Sequence, residues 1–141
     1  MIKPTYKELE IIGAILYSCE GTRLRIDKRR KNKTFYWAIE FTNSNPKLIK
    51  LFILFLNKCI IIDKNRLKGQ LFIYNDLNIN KLEKYWSRIS KIPLKYLNKT
   101  IIFKAKNVKY KPNPIGTFKV RYHSKVAFTR LAQIIKKVIG E

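Results

Sequence analysis

Ile12-Gly13-Ala14-Ile15-Leu16-Tyr17-Ser18-Cys19-Glu20-Gly21-Thr22 is the stretch that decides how this chain is read. Upstream of it, Thr5-Tyr6-Lys7-Glu8 has the form of a capping box, the Thr5 hydroxyl accepting from the Glu8 amide and the Glu8 carboxylate from the Thr5 amide. Leu9, Ile12, Leu16 and Cys19 then recur at helical spacing, and Gly21 stands where a left-handed cap would end the helix. The pattern predicts a helix over residues 5–20. It is apolar around most of its circumference, which implies burial on two sides. Gly13, Ala14, Ser18 and Cys19 are small, and Ala14 and Ser18 lie one turn apart, a spacing that lets a second helix backbone come close. The helix ends on Glu20, directly before a glycine. The helix macrodipole disfavours a carboxylate at that end, so Glu20 calls for a reason.

Working outward, residues 22–28 alternate, with Leu24 and Ile26 on one face and Arg23, Arg25 and Asp27 on the other. Residues 34–42 alternate again, Phe35, Trp37, Ile39 and Phe41 opposing Tyr36, Ala38 and Glu40. The loop between them carries Lys28, Arg29, Arg30, Lys31 and Lys33. Asn45-Pro46 opens a helix over 46–58 with a stripe of Leu48, Ile49, Phe52, Phe55 and Leu56. A short strand over 70–75 precedes a helix over 78–91 that carries Leu82, Trp86 and Ile89. In the strand over 101–108, Ile101, Phe103 and Ala105 face one way and Lys104 and Lys106 the other. After the turn at 111–116, the strand over 117–123 puts Phe118, Val120 and Tyr122 inward and Lys119, Arg121 and His123 outward. A final helix over 124–139 buries Phe128, Leu131, Ile134, Ile135 and Val138. The order α-β-β-α-β-α-β-β-α, free of linkers, makes residues 1–141 one α+β domain, an antiparallel sheet with helices on one face.

Composition narrows the function. The chain has 141 residues, 46% of them apolar, enough for a core and against intrinsic disorder. Its longest apolar run, Leu51 to Leu56, is far below the ~20 residues of a membrane span, and Met1 to Lys7 has no signal-peptide core. A soluble cytoplasmic protein is the expectation. The one histidine and two distant cysteines, Cys19 and Cys59, cannot complete a structural zinc site alone, and two buried thiols are expected. The five glycines form no phosphate-binding loop. Against 31 Lys and Arg there are 9 Asp and Glu, a net charge of +22. The wealth of Lys, Ile and Asn matches an AT-rich genome, but such a genome encodes glutamate as readily. The lack of acids therefore leaves a field that draws polyanions, nucleic acid ahead of an acidic membrane surface. With the helices on the apolar face, the other face of the sheet would show Arg23, Arg25, Lys104, Lys106, Lys119 and Arg121, a basic face that a polyanion would cover.

The eleven residues quoted first resemble the LAGLIDADG motif of homing endonucleases, in the form found in small microbial single-motif members. Leu16-Tyr17-Ser18-Cys19-Glu20-Gly21-Thr22 matches the second half of the motif and Gly13-Ala14 its first half, in a less definite register. Two strands and a helix follow in the family's order, and Glu40-Phe41-Thr42-Asn43-Ser44-Asn45-Pro46 and Arg121-Tyr122-His123-Ser124-Lys125 also look like it. The resemblance implies a saddle-shaped sheet on double-stranded DNA and motif helices packed across a two-fold axis. With one motif it implies a homodimer, with Gly13, Ala14, Tyr17 and Ser18 at the seam. It further implies terminal acids, here Glu20, holding magnesium or another divalent cation at the scissile phosphates. Ser18 stands where the motif has its first acid. Lys119, His123 and Lys125 are the cations placed to assist catalysis.

The residues reach the same arrangement by another route. Magnesium wants six oxygens, so one Glu20 is a poor site, whereas a two-fold axis brings a second. Among the outward strand residues Arg23, Arg25 and Arg121 are the better base readers and Lys104, Lys106 and Lys119 suit phosphate, while Arg29, Arg30, Lys31 and Lys33 of the loop are further DNA-binding candidates. Tyr36 is placed to stack or to touch a thymine methyl. Glu40 reads most simply as a cross-strand partner of Arg23 or Arg25. Two alternatives stand beside the endonuclease: a DNA-binding protein on the same scaffold that does not cut, and an RNA-binding or splicing helper, with RNA the lesser partner.

Overall fold

The capping box forms as read: the Thr5 amide donates to Glu8 Oε1 at 2.9 Å and the Glu8 amide to Thr5 Oγ1 at 3.2 Å. It opens α1, Tyr6–Glu20, in a computed structural model that describes residues 2–26, 35–104 and 114–140. The remaining elements are β1 (Arg25–Ile26), β2 (Phe35–Tyr36), β3 (Ala38–Asn43), α2 (Pro46–Phe55), β4 (Lys68–Tyr74), α3 (Ile79–Ser90), β5 (Ile101–Phe103), β6 (Thr117–His123) and α4 (Lys125–Ile139). Asn45, Asn78 and Ser124 cap the N-termini of α2, α3 and α4 with side-chain acceptors, which fixes where each helix starts. A π-helical turn, Leu56–Ile60, continues α2.

Among the described residues the fold is α+β, with four α-helices, a two-stranded sheet β1-β2 and a four-stranded mixed sheet in the order β3-β6-β4-β5. The expectation of an antiparallel sheet is corrected at one edge, where β4 and β5 run parallel, Phe72 opposite Ile101 and Tyr74 opposite Phe103. Helix α3 lies between them in sequence and supplies the crossover that parallel strands require. The ladder between 21–26 and 35–41 also holds a bulge. Gly21 pairs with Phe41 but Arg25 with Tyr36, so the second strand takes up one extra residue at Trp37.

The core lies on one face of the sheet. Ile39, Phe41, Leu71, Ile73, Phe118, Val120 and Tyr122 alternate along β3, β4 and β6 and are buried. Each helix inserts an aromatic ring or lies against one. Phe52 of α2 stacks on Phe41 with centroids 4.4 Å apart, and Trp86 of α3 stacks on Phe118 at 5.1 Å. Phe128 of α4 meets Tyr17 of α1 edge-on at 6.4 Å. Such pairs add about 0.5–1.5 kcal/mol each beyond their buried area.

Candidate nucleic-acid interface and acidic helix end

The sheet face turned away from the helices is laid out in rows by strand register. Glu40, Arg121 and Lys68 form one row, Thr42, Lys119 and Gln70 the next, then Thr117, Phe72 and Ile101, and last Tyr74 and Phe103. The expected continuous basic face is corrected at its centre by Glu40, which is 2% exposed. Arg121 Nε and Nη2 each reach Glu40 Oε2 at 2.9 Å, and Lys119 Nζ lies 3.6 Å from the same oxygen. A carboxylate can be buried there because two cations and their hydrogen bonds compensate its lost hydration. Both of these cations come from β6, across the β3–β6 ladder. The Glu40 backbone N–H also donates to Tyr17 Oη at 3.2 Å, and that hydroxyl donates to the Thr22 carbonyl. One tyrosine thus ties the end of α1 to the edge strand β3.

Glu20 is exposed at the end of α1, beside the β3 edge. Gly21 bridges to Phe41, and the Thr22 amide donates to the Glu40 carbonyl at 2.9 Å, so the chain leaves the helix directly into the ladder. The expected left-handed cap is corrected: Gly21 is extended, with φ −80°. Glycine is required for another reason, since a Cβ there would overlap the Tyr17 ring. Phe41, the bridge partner of Gly21, pairs in turn with Val120, so the chain leaves α1 beside the part of the sheet that carries Lys119. His123 and Lys125 lie elsewhere. His123 faces Ala38 and packs its ring 5.3 Å from Tyr36, and Lys125 Nζ sits 5.4 Å from the Trp37 centroid. They are at the far end of β6, where His123 is about 13 Å along the strand from Lys119. Of the three candidate cations, the fold gathers Lys119 alone toward Glu20. Among the described residues no group of three or more His, Cys, Asp or Glu side chains converges. Glu20 is a single exposed carboxylate, one oxygen donor group where magnesium wants six oxygens.

Three of the four expected seam residues are turned into the chain itself. Ala14 is wholly buried, Tyr17 is 5% exposed and stacks on Phe52 at 5.8 Å, and a Cβ on Gly13 would overlap the Phe55 ring. The small residues admit α2, the chain's own helix. Ser18 is exposed, as is Cys19, against the expectation of a buried thiol there; Cys59 is buried as expected. The open side of α1 instead carries Ile11 and Ile15, each 47% exposed. They line a groove of about 480 Å³ with Lys7, Glu10, Lys137, Val138 and Ile139. At its base Lys137 Nζ donates to Glu10 Oε1 at 2.8 Å, and this bond holds the Lys137 ammonium above its ordinary value. Burial, and then the Glu10 charge, push the Cys59 thiol up.

Among the residues expected to touch DNA, Arg23 and Lys104 are exposed, Tyr36 is half-buried, and Lys119 and Arg121 are half-buried around Glu40. Arg25 lies in β1 opposite Tyr36. Arg29, Arg30, Lys31, Lys33 and Lys106 lie outside the described residues. The expectation that Ile101 and Phe103 point inward is corrected, for both are exposed beside Phe72 and Tyr74. Sequence reasoning missed the contribution of β4 to this face. The signal was present: Lys68, Gln70, Phe72 and Tyr74 alternate with buried Gly69, Leu71 and Ile73. No helix among the described residues is long and apolar enough to cross a membrane. No known protein family, curated protein or solved structure matches the chain.

Proposed function

We propose that this chain is a homodimeric DNA-binding protein of the LAGLIDADG homing-endonuclease kind, working where cytoplasmic or nucleoid DNA is accessible. It cuts duplex DNA, with Glu20 of each copy holding a divalent cation. The observation that carries this reading is the position of Glu20, an exposed acid at the tip of α1 beside a cationic sheet face. The apolar stripe of Ile11 and Ile15 on the same helix points away from the chain's own core. Two copies meeting along that stripe would hide apolar surface that a lone chain leaves in water and put the Glu20 ends of two α1 helices into one assembly.

The chain's own residues divide the work. Arg121 and Lys119 are held in place by Glu40, so a phosphate meets cations whose side chains are already ordered. Lys119 lies in the part of the sheet beside which the chain leaves α1 and suits the charge that grows on a cleaved phosphodiester. Lys68 and Arg23 extend the phosphate contacts to either side, and the net charge of +22 draws the duplex in. A divalent ion bound at the Glu20 pair would activate water and neutralise the leaving oxygen.

Incubation with magnesium and a randomised duplex library, beside a Glu20→Gln variant, tests this. Double-strand cleavage by the wild type and none by Glu20→Gln is the expected result. Cleavage that survives Glu20→Gln contradicts the metal role. Salt-sensitive duplex binding without cleavage by either protein favours the non-cutting protein on the same scaffold, and preference for structured RNA over duplex favours the splicing helper.

A further inference from the structure

The corner of the open face farthest from Glu20 differs from the rest. Phe72 and Phe103 lie nearly parallel with centroids 6.5 Å apart, and Tyr74 leans on Phe103 at 6.3 Å. Phe103 is 49% exposed, Tyr74 37% and the adjoining Ile101 38%; the other face of β4 is packed into the core through Leu71 and Ile73, while Ile102 on the other face of β5 is 47% exposed. Cations rim this corner. Lys119 Nζ sits 5.2 Å from the Phe72 centroid and Lys104 follows Phe103 directly and is exposed, while Lys68 stands farther along β4, four residues before Phe72, with Nζ 4.2 Å from the Tyr96 centroid.

We propose that Phe72, Tyr74 and Phe103 form a stacking platform for unpaired bases of a single nucleic-acid strand, whose phosphates lie on Lys119, Lys68 and Lys104. This rests on the reading that the open face takes nucleic acid, and it names a part of that face that duplex DNA does not use. A paired duplex offers phenylalanine the thymine methyl alone among its base edges and keeps the flat sides of its bases stacked on one another. A ring on a sheet face gains instead by stacking against the flat side of a base freed from its own stack. That interaction tolerates any base, and its pairing with a lysine rim matches the chemistry of single-strand grooves. The platform lies on β4 and β5, two and three strand spacings, or about 10 and 14 Å, from the β3 edge that Glu20 adjoins. A strand opened or displaced beyond the cleavage point would be held there.

Fluorescence anisotropy with a labelled oligothymidylate of about 12 nucleotides and a blunt duplex of about 20 base pairs tests the proposal. Phe103→Ala and Tyr74→Ala are each expected to weaken oligothymidylate binding about tenfold and to change duplex binding by less than about twofold. Phe103→Tyr should bind as the wild type does, and Phe103→Leu should lose affinity as Phe103→Ala does. Wild-type affinity in Phe103→Leu or in both alanine variants overturns the platform. In the unsubstituted protein, an oligomer carrying 4-thiothymidine should photocrosslink to peptides holding Tyr74 or Phe103, and crosslinks confined to other peptides overturn it as well. If the wild type binds the duplex but not the single strand, the platform alone fails. If it binds neither, the nucleic-acid reading of the open face fails with it.

Discussion

On one side of α1, Gly13, Ala14 and Tyr17 lie against α2 and α4; on the other, Ile11 and Ile15 stand half in water. The inward side is built around close approach. Gly13 leaves room for the Phe55 ring, and Tyr17 fills the space between Phe52 and Phe128 while its hydroxyl reaches the sheet. The outward side sets branched side chains over a groove shared with α4, with the Lys137–Glu10 hydrogen bond at its base. Small residues therefore mark where something comes close, without saying whether the visitor is a second copy or the chain's own next helix. Exposed isoleucines on a helix that is otherwise packed are the better sign of a missing neighbour.

The contrast can be broken from its inward side first. Phe55→Ala should cost about 3–5 kcal/mol by urea denaturation, since it empties a fully buried ring site. Gly13→Val should cost about 1–3 kcal/mol by overpacking against that same ring. The double variant should cost less than the two added together, because the cavity left by Phe55 admits the new side chain. Strict additivity would show that residue 13 and Phe55 do not share the space. Next in size is Tyr17→Phe, expected to cost about 1 kcal/mol as the Glu40 amide loses its acceptor. No change would remove the hydroxyl as the link between α1 and the sheet.

The smallest effect lies where the two sides meet, at Glu10 and Lys137. The Lys137 ammonium is held above its ordinary value of 10.5 by its bond to Glu10. A raised pKa stabilises the fold fully below that ordinary value, and the gain is lost as pH rises through the folded-state value. The thermal midpoint of the wild type should thus fall more steeply above about pH 10.5 than that of Glu10→Gln. Parallel curves would contradict the pair's role.

Much of this was legible along the chain. The capping box at Thr5, the Asn45-Pro46 start and the strict alternation of β6 are local signals, so α1, α2 and β6 stand where periodicity put them. What was hidden depends on tertiary partners. The rotation of α1 was misread because Leu9, Ile12, Leu16 and Cys19 are as apolar as the stripe of Leu9, Gly13 and Tyr17 that the core selects. The parallel pairing of β5 is set by the α3 crossover, and no alternation in Ile101-Ile102-Phe103 encodes it. Glu40 read as one half of a surface pair because its burial depends on Arg121, 81 positions away.

Sedimentation velocity tests the central claim most directly, using the wild type, Ile15→Glu and Ala14→Ser at matched concentrations. The wild type and Ala14→Ser should sediment at twice the chain mass and Ile15→Glu at the chain mass, with all three folded. A wild type that stays at the chain mass over the whole concentration range, or an Ile15→Glu that still pairs, would contradict a shared Glu20 site built along the open stripe of α1.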